Sequence, residues 1–178
     1  MFKIGTYVSY RSEGVCVISD IRTEAFNALG KSEQFYILAP IKDISSILYV
    51  PVNNETLTSK MRPLLSAEEL CDLADELRDE RSDLWSTDSR ARNAMLREIL
   101  ASGDRRQIIV LINTITDMMK NPSTTEKRLT AGDQNILKRA KKMLVAEFSV
   151  TTDINSEDDL MRVLCGESRC APNEIPSR

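Results

Sequence analysis

The 178-residue sequence contains no histidine. That absence removes an imidazole general base, any Cys/His nucleophilic pair and the usual Cys/His zinc site. Its six glycines stand apart, so there is no glycine-rich loop to cradle a phosphate. No apolar run approaches the roughly 18 to 20 residues needed to span a membrane, and the opening Met1-Phe2-Lys3-Ile4-Gly5 has no signal core. Four thiols, Cys16, Cys71, Cys165 and Cys170, are scattered without a framework. Cys165 and Cys170 are close enough in sequence to pair, but reduced thiols in a reducing cytoplasm are the expectation. No cofactor, no metal and no enzymatic reaction are expected from this inventory. Aromatic residues are only 5% of the chain, and Trp85 is the single tryptophan.

What is present is an ordinary globular composition, 42% hydrophobic and 29% charged, with a formal net charge of -3. The charge is uneven along the chain. Residues 61–84 hold 3 basic against 8 acidic side chains, whereas residues 85–147 hold 12 against 7. The positive segment begins at the tryptophan.

The first 60 residues alternate short Val/Ile/Tyr-rich runs with turn residues: TYVSY from Thr6, VCVIS from Val15, QFYILA from Gln34 and ILYVPV from Ile47. Glu13-Gly14 and the stretch Ala28 to Lys31 supply reversals, where glycine takes positive φ without a Cβ clash. Four or five such strands predict a small curled barrel of Tudor or SH3 type. Beyond Pro63 the pattern is helical. Ser66-Ala67-Glu68-Glu69 is a capping box opening a helix to about Arg81. Further helices are expected over Arg90 to Ala101, Asp104 to Lys120 and Ala131 to Phe148, with a short last one after Ser156. The fold class is therefore α+β, a Tudor/SH3-like β-barrel followed by an all-α domain of about five helices. The expected domains are 1–62 and 63–170, with 171–178 a flexible tail.

Trp85 admits two readings. Tryptophan usually plugs a core edge. Yet its neighbours Ser86, Thr87, Asp88 and Ser89 offer no apolar company, and helical spacing puts Arg90, Asn93 and Arg97 on one face while Ala91, Met95 and Ile99 turn inward. An aromatic beside an arginine stripe suits a nucleic-acid backbone and a stacked base. Lys138, Lys141 and Lys142 lie opposite the apolar face Ile136, Leu137, Ala140, Met143 and Leu144, an arrangement that a solvated surface also explains. The pairs Glu68-Glu69 and Asp158-Asp159 sit at helix starts and read as caps.

The blocks FKIGTYVSYRSEGVCVISDI, LYVPV followed by MRPLL, LASGD, and RLTAGDQNILKRAKKMLVAEF, in this order, resemble the bacterial CarD family of transcription regulators over residues 1 to about 165. The resemblance implies a Tudor-like domain that binds the RNA polymerase β subunit and a helical domain that contacts promoter DNA. It also implies that Trp85 wedges into the minor groove at the upstream edge of the transcription bubble. The sequence departs from the family in three places. Ser86-Thr87-Asp88 follows the tryptophan where basic residues are common. Tyr10-Arg11-Ser12-Glu13-Gly14 stands where Tyr-Pro-x-x-Gly is usual. Glu24 and Tyr49 occupy places that are arginine in some relatives.

The expected DNA contacts are Trp85, Arg90, Arg92, Arg97, Lys138, Lys141 and Lys142, and the expected polymerase contacts Glu24, Ile47, Tyr49 and Pro51. The expected protein is a cytoplasmic monomer with no membrane partner, which stabilises the open promoter complex through largely sequence-independent DNA contacts. A protein-only adaptor, whose helical domain binds a second protein instead of DNA, is the competing reading.

Overall fold

The computed structural model describes residues 1–25, 32–41, 45–82, 86–120 and 129–173, apart from the side chain of Ser12. Among the described residues the chain is α+β, five antiparallel strands and then a series of helices. It divides into two compact units, the first carrying Met1–Leu64 and the second opening at Leu65.

The first unit is one sheet in the order β4-β3-β2-β1-β5. Its strands are β1 (Tyr7–Tyr10), β2 (Gly14–Glu24), β3 (Glu33–Pro40), β4 (Leu48–Pro51) and β5 (Met61–Pro63). β1 and β2 form a hairpin through a 3-10 turn at Arg11–Glu13, with Tyr10 opposite Gly14. Gly14 takes φ 79°, and Arg11 is the one non-glycine residue with positive φ, 49°, among those described. The other expected reversal, Ala28 to Lys31, lies outside the described residues.

Val8, Tyr10, Cys16, Ile18, Tyr36, Leu38, Val50 and Met61 pack into the unit's core. Alternation places them on one face, because successive strand residues point to opposite sides. β2 extends well past Ser19. Its register shifts between Ile18 and Asp20, a bulge at which Ser19 Oγ donates to the Ile37 carbonyl at 3.1 Å. β4 and β5 are the two ends of this strand order, so the described strands form an open sheet and not the expected closed barrel. A short helix, α1 (Glu55–Thr58), joins β4 to β5, capped by Asn54 Oδ1, which accepts from the Leu57 amide at 3.2 Å.

The second unit contains α2 (Ala67–Leu77), α3 (Ser89–Ser102), α4 (Arg105–Lys120), α5 (Ala131–Phe148) and α6 (Glu157–Leu164). α4 touches α2, α3 and α5, and its Ile108, Ile109, Leu111, Ile112 and Ile115 are buried. Each such side chain contributes about 1.5 to 3 kcal/mol on burial. Met119, near the end of α4, is 51% exposed. α2, α5 and α6 each open with a full capping box, from Ser66 and Glu69, Thr130 and Asp133, and Ser156 and Asp159. α3 stops at Gly103, left-handed at φ 66°.

α2 ends at Leu77, short of the expected Arg81. Asn113 Nδ2 donates to the Leu77 carbonyl at 2.8 Å, so a side chain of α4 satisfies the end of α2. The first residues of the expected tail, 171–173, are held in place. Asp153 and Ala171 exchange backbone and side-chain hydrogen bonds, Thr152 bridges Pro172, and the Asn173 amide donates to the Thr151 carbonyl at 2.8 Å. Residues 171–173 are thus held against the turn after α5, and 174–178 lie outside the described residues. All four cysteines are free thiols, and the neighbour of Cys170 is Cys71 at 3.3 Å, not Cys165, which is exposed.

Candidate functional site

In the first unit, register decides which side chains share a face. Tyr49 lies opposite Ile37, Pro51 opposite Phe35, Phe35 opposite Arg22, and Glu24 opposite Glu33. Directly paired residues point the same way, so Glu24, Tyr49 and Pro51 share the face turned away from the Val8–Leu38 core. Tyr49 is 44% exposed, its ring edge-on to Phe35 with centroids 6.2 Å apart. Ile47, just ahead of β4, is 57% exposed. β4 ends the strand order, so an aromatic and a branched aliphatic side chain stand along a sheet edge.

Arg22, which sequence reasoning passed over, stands on the same face. It pairs with Asp20 at 2.6 Å, and this hydrogen bond, with that of the Ile21 amide, holds the Asp20 carboxyl below the usual carboxylate range. Continuing the β2 alternation past Ser19 identifies Arg22, provided the bulge is counted.

In the second unit the expected DNA contacts separate into two groups. Arg90 and Arg97 are exposed on α3, and Lys138 and Lys142 on α5, with Lys141 half-buried. Arg139, also exposed, extends the basic surface of α5 and is missing from the expectation. Arg92 is a correction: it is 2% exposed. Its Nε donates to Asp133 Oδ1 at 3.1 Å, its Nη2 to Asp133 Oδ2 at 2.6 Å and its Nη1 to the Ser86 carbonyl at 2.7 Å. A guanidinium so enclosed cannot reach a phosphate. The inward face of α3 is therefore Arg92, Leu96 and Leu100, with Met95 and Ile99 half-buried, while Ala91, expected inside, is exposed.

Asp133 is fully buried and serves both helices. It is the third residue of α5, accepts from the Thr130 amide and hydroxyl at 2.8 Å, and accepts from Asn93 Nδ2 at 3.3 Å. Burial alone raises its pKa, but the Arg92 hydrogen bond, the Thr130 amide and hydroxyl, and the Arg92 charge together outweigh that and lower it.

Trp85 and its neighbours 83 and 84 lie outside the described residues. Both sides of this segment are fixed to the helical core: the Ser82 amide donates to Thr114 Oγ1 at 2.9 Å, and Arg92 holds the Ser86 carbonyl. Asp88 then caps α3, accepting from the Arg90 amide at 2.8 Å. A second ion pair, Arg105 with Glu147, joins the start of α4 to the end of α5.

Among the described residues no group of Cys, Asp and Glu is placed to hold a metal ion, and no helix is long and apolar enough to cross a membrane. The first unit presents an exposed sheet edge at β4, and the second carries exposed basic side chains on α3 and α5. The comparison with known families bears on the first unit. Residues 2–65 match the model of the CarD-like/TRCF RID domain. The N-terminal unit is thus a CarD-like RNA polymerase-interacting domain, a non-catalytic interaction module. The match ends where the helical unit begins.

Proposed function

We propose that this protein is a transcription regulator that binds the RNA polymerase β subunit through its first unit and promoter DNA through its second, stabilising the open complex. The carrying observation is the domain match over residues 2–65, whose sheet edge at β4 presents Ile47 and Tyr49. An edge strand offers backbone groups for strand addition, and exposed side chains at alternate positions supply specificity. Glu24 and Pro51 share the face of Tyr49 and complete the polymerase contact.

The DNA half of the reading rests on exposed Arg90, Arg97, Lys138 and Lys142, with Trp85 as the minor-groove wedge. Arg92 serves it indirectly, by holding Ser86 next to the tryptophan. A protein that binds the melted promoter better than the closed one shifts the equilibrium by that difference in affinity and no more. Stacking an aromatic on a base contributes about 1 to 3 kcal/mol.

The test is the lifetime of open complexes formed with the full chain and with Trp85→Ala. The variant should keep its melting temperature and its polymerase binding while shortening that lifetime roughly five-fold or more. A large fall in melting temperature with an unchanged lifetime would instead make Trp85 a core residue. Retained polymerase binding with no DNA affinity at low salt would favour the protein-only adaptor.

A further inference from the structure

Cys71 and Cys170 are 99 residues apart in sequence, yet their Sγ atoms are 3.3 Å apart. The contact belongs to a continuous seam. Residues 169 to 173 run along α2 and the turn after α5, with Arg169 pairing Asp75 at 3.2 Å and Cys170 Sγ lying 3.4 Å from the Ala67 carbonyl. Ala67, Cys71 and Asp75 are spaced four apart on α2 and so form one stripe beneath this C-terminal strap. The backbone bonds of Asp153 with Ala171 and of Asn173 with Thr151 hold the strap in place on the far side of Cys170. Beside the pair opens a cleft of about 180 Å³ lined by Cys71, Asp75, Arg78, Val163, Gly166 and Arg169. That is room for a few water-sized molecules at about 30 Å³ each. A small peroxide fits.

We propose that Cys71 and Cys170 are an oxidation site for hydrogen peroxide, at which two thiols become one disulfide that fastens the C-terminal strap to α2. The Cys71 sulfur, which lines the cleft, loses its proton and attacks one peroxide oxygen. The O–O bond breaks and the departing hydroxide takes that proton, leaving a Cys71 sulfenic acid and one water. The Cys170 sulfur then attacks the Cys71 sulfur. The S–O bond breaks, hydroxide leaves with the Cys170 proton as a second water, and the disulfide remains. Two thiols are oxidised and one peroxide is reduced by the two electrons they give up. The sulfurs must approach by only a little over about 1 Å to reach the S–S bond length of about 2.05 Å.

Burial, and then the hydrogen bond with Cys71, push the Cys170 thiol up to about 12. The thiolate is the reactive form, so closure is slow at neutral pH and quickens as pH rises.

The experiment treats the reduced full chain, carrying Cys165→Ser to remove the exposed thiol, with hydrogen peroxide, then alkylates, digests and weighs the peptides. The expected result is a Cys71–Cys170 linked peptide with a mass loss of about 2 Da. The melting temperature should rise by about 5 °C or more because the cross-link restricts the unfolded chain, and a reductant should reverse the rise. Cys170→Ala should abolish both changes while remaining folded, since Cys170 is only half-buried. Oxygen adducts on Cys71 or Cys170 without a link, or a link to Cys16, would overturn the site. A linked peptide with an unchanged melting temperature would overturn the fastening.

Discussion

Arg92 and Arg97 are both arginines of α3, five residues apart, and the structure gives them opposite work. Arg92 is enclosed with Asp133, so removing one partner leaves a buried charge without compensation, a loss of about 3 to 5 kcal/mol. Arg97 is exposed, and truncating it should change stability by no more than about 0.5 kcal/mol. Urea denaturation of Arg92→Ala and Arg97→Ala should therefore separate them sharply, while Arg97→Ala should lower DNA affinity with stability nearly unchanged. Asp133 adds a pH signature. Its folded pKa lies below an unfolded value near 3.9, so its contribution is complete above that value and lost as pH falls through the lower folded one. Stability of the helical unit should decline below about pH 4, and Asp133→Asn should be less stable at neutral pH and flatter in acid. Equal acid sensitivity of the two proteins would assign the effect to other carboxylates. Arg11 makes a third residue-scale case. With φ at 49° it occupies a backbone state that a proline ring, fixed near -65°, cannot enter. Arg11→Pro, which brings the hairpin closer to the Tyr-Pro-x-x-Gly pattern, should lower the melting temperature unless the turn rebuilds, and Arg11→Gly should be tolerated.

At the scale of elements, what could be read from the sequence is what is local. The capping boxes at Ser66 and Ser156 need only four consecutive residues, and α5 runs over Ala131–Phe148 as its apolar spacing implies, though its own box at Thr130 went unread. Elements fixed by distant partners were not legible. β5 is three residues long and pairs with β1 across more than fifty positions, while its Pro63 reads as a breaker. β2 continues to Glu24 through Asp20, Arg22 and Glu24, which look like loop residues until the bulge at Ser19 restores the alternation. α3 turns Met95 and Ile99 toward the core as their spacing implies, but Arg92 and not Ala91 faces inward, for a similar reason. An arginine is assigned outward by default, and the carboxylate that draws Arg92 inward lies 41 residues further on. Sharing of one face by Glu24, Tyr49 and Pro51 likewise depends on that bulge and on the β3–β4 register. The caps also differ in weight. Ser66 makes the reciprocal pair with Glu69 alone, whereas the Thr130 hydroxyl both accepts from the Asp133 amide and donates to the Asp133 carboxylate that binds Arg92. Thr130→Ala should therefore cost near the upper end of the range of about 0.5 to 2 kcal/mol, and Ser66→Ala about 1 kcal/mol, measured as shifts in the denaturation midpoint at constant slope.

For the whole molecule the question is why two modest surfaces suffice. Only Leu64, Leu65 and Ser66 separate β5 from α2, so whatever the first unit binds is tied by a short connection to the second. A short tether converts the second binding event into an intramolecular one at an effective concentration near the millimolar range. On the proposed function, the DNA contacts can then be weak and carried by phosphates, with an affinity that falls steeply with salt. Two variants dissect this arrangement. Lys138→Ala with Lys142→Ala should lower DNA affinity by a similar factor on unrelated sequences and reduce the slope of log affinity against log salt by about 2, since each phosphate contact contributes roughly 0.9. Tyr49→Asp should leave the DNA affinity of the isolated chain unchanged, because Tyr49 belongs to the first unit. Its occupancy of polymerase–promoter complexes should nonetheless fall at least about tenfold, since gains of about 10² to 10⁴ come from such linkage without any new contact. Both measurements are made by titration at low and physiological salt, with and without polymerase. If occupancy on the polymerase–promoter complex follows the free-DNA affinity through both variants, the tether contributes nothing and the second unit works alone; if it is indifferent to both lysines, the helical unit's partner is a protein.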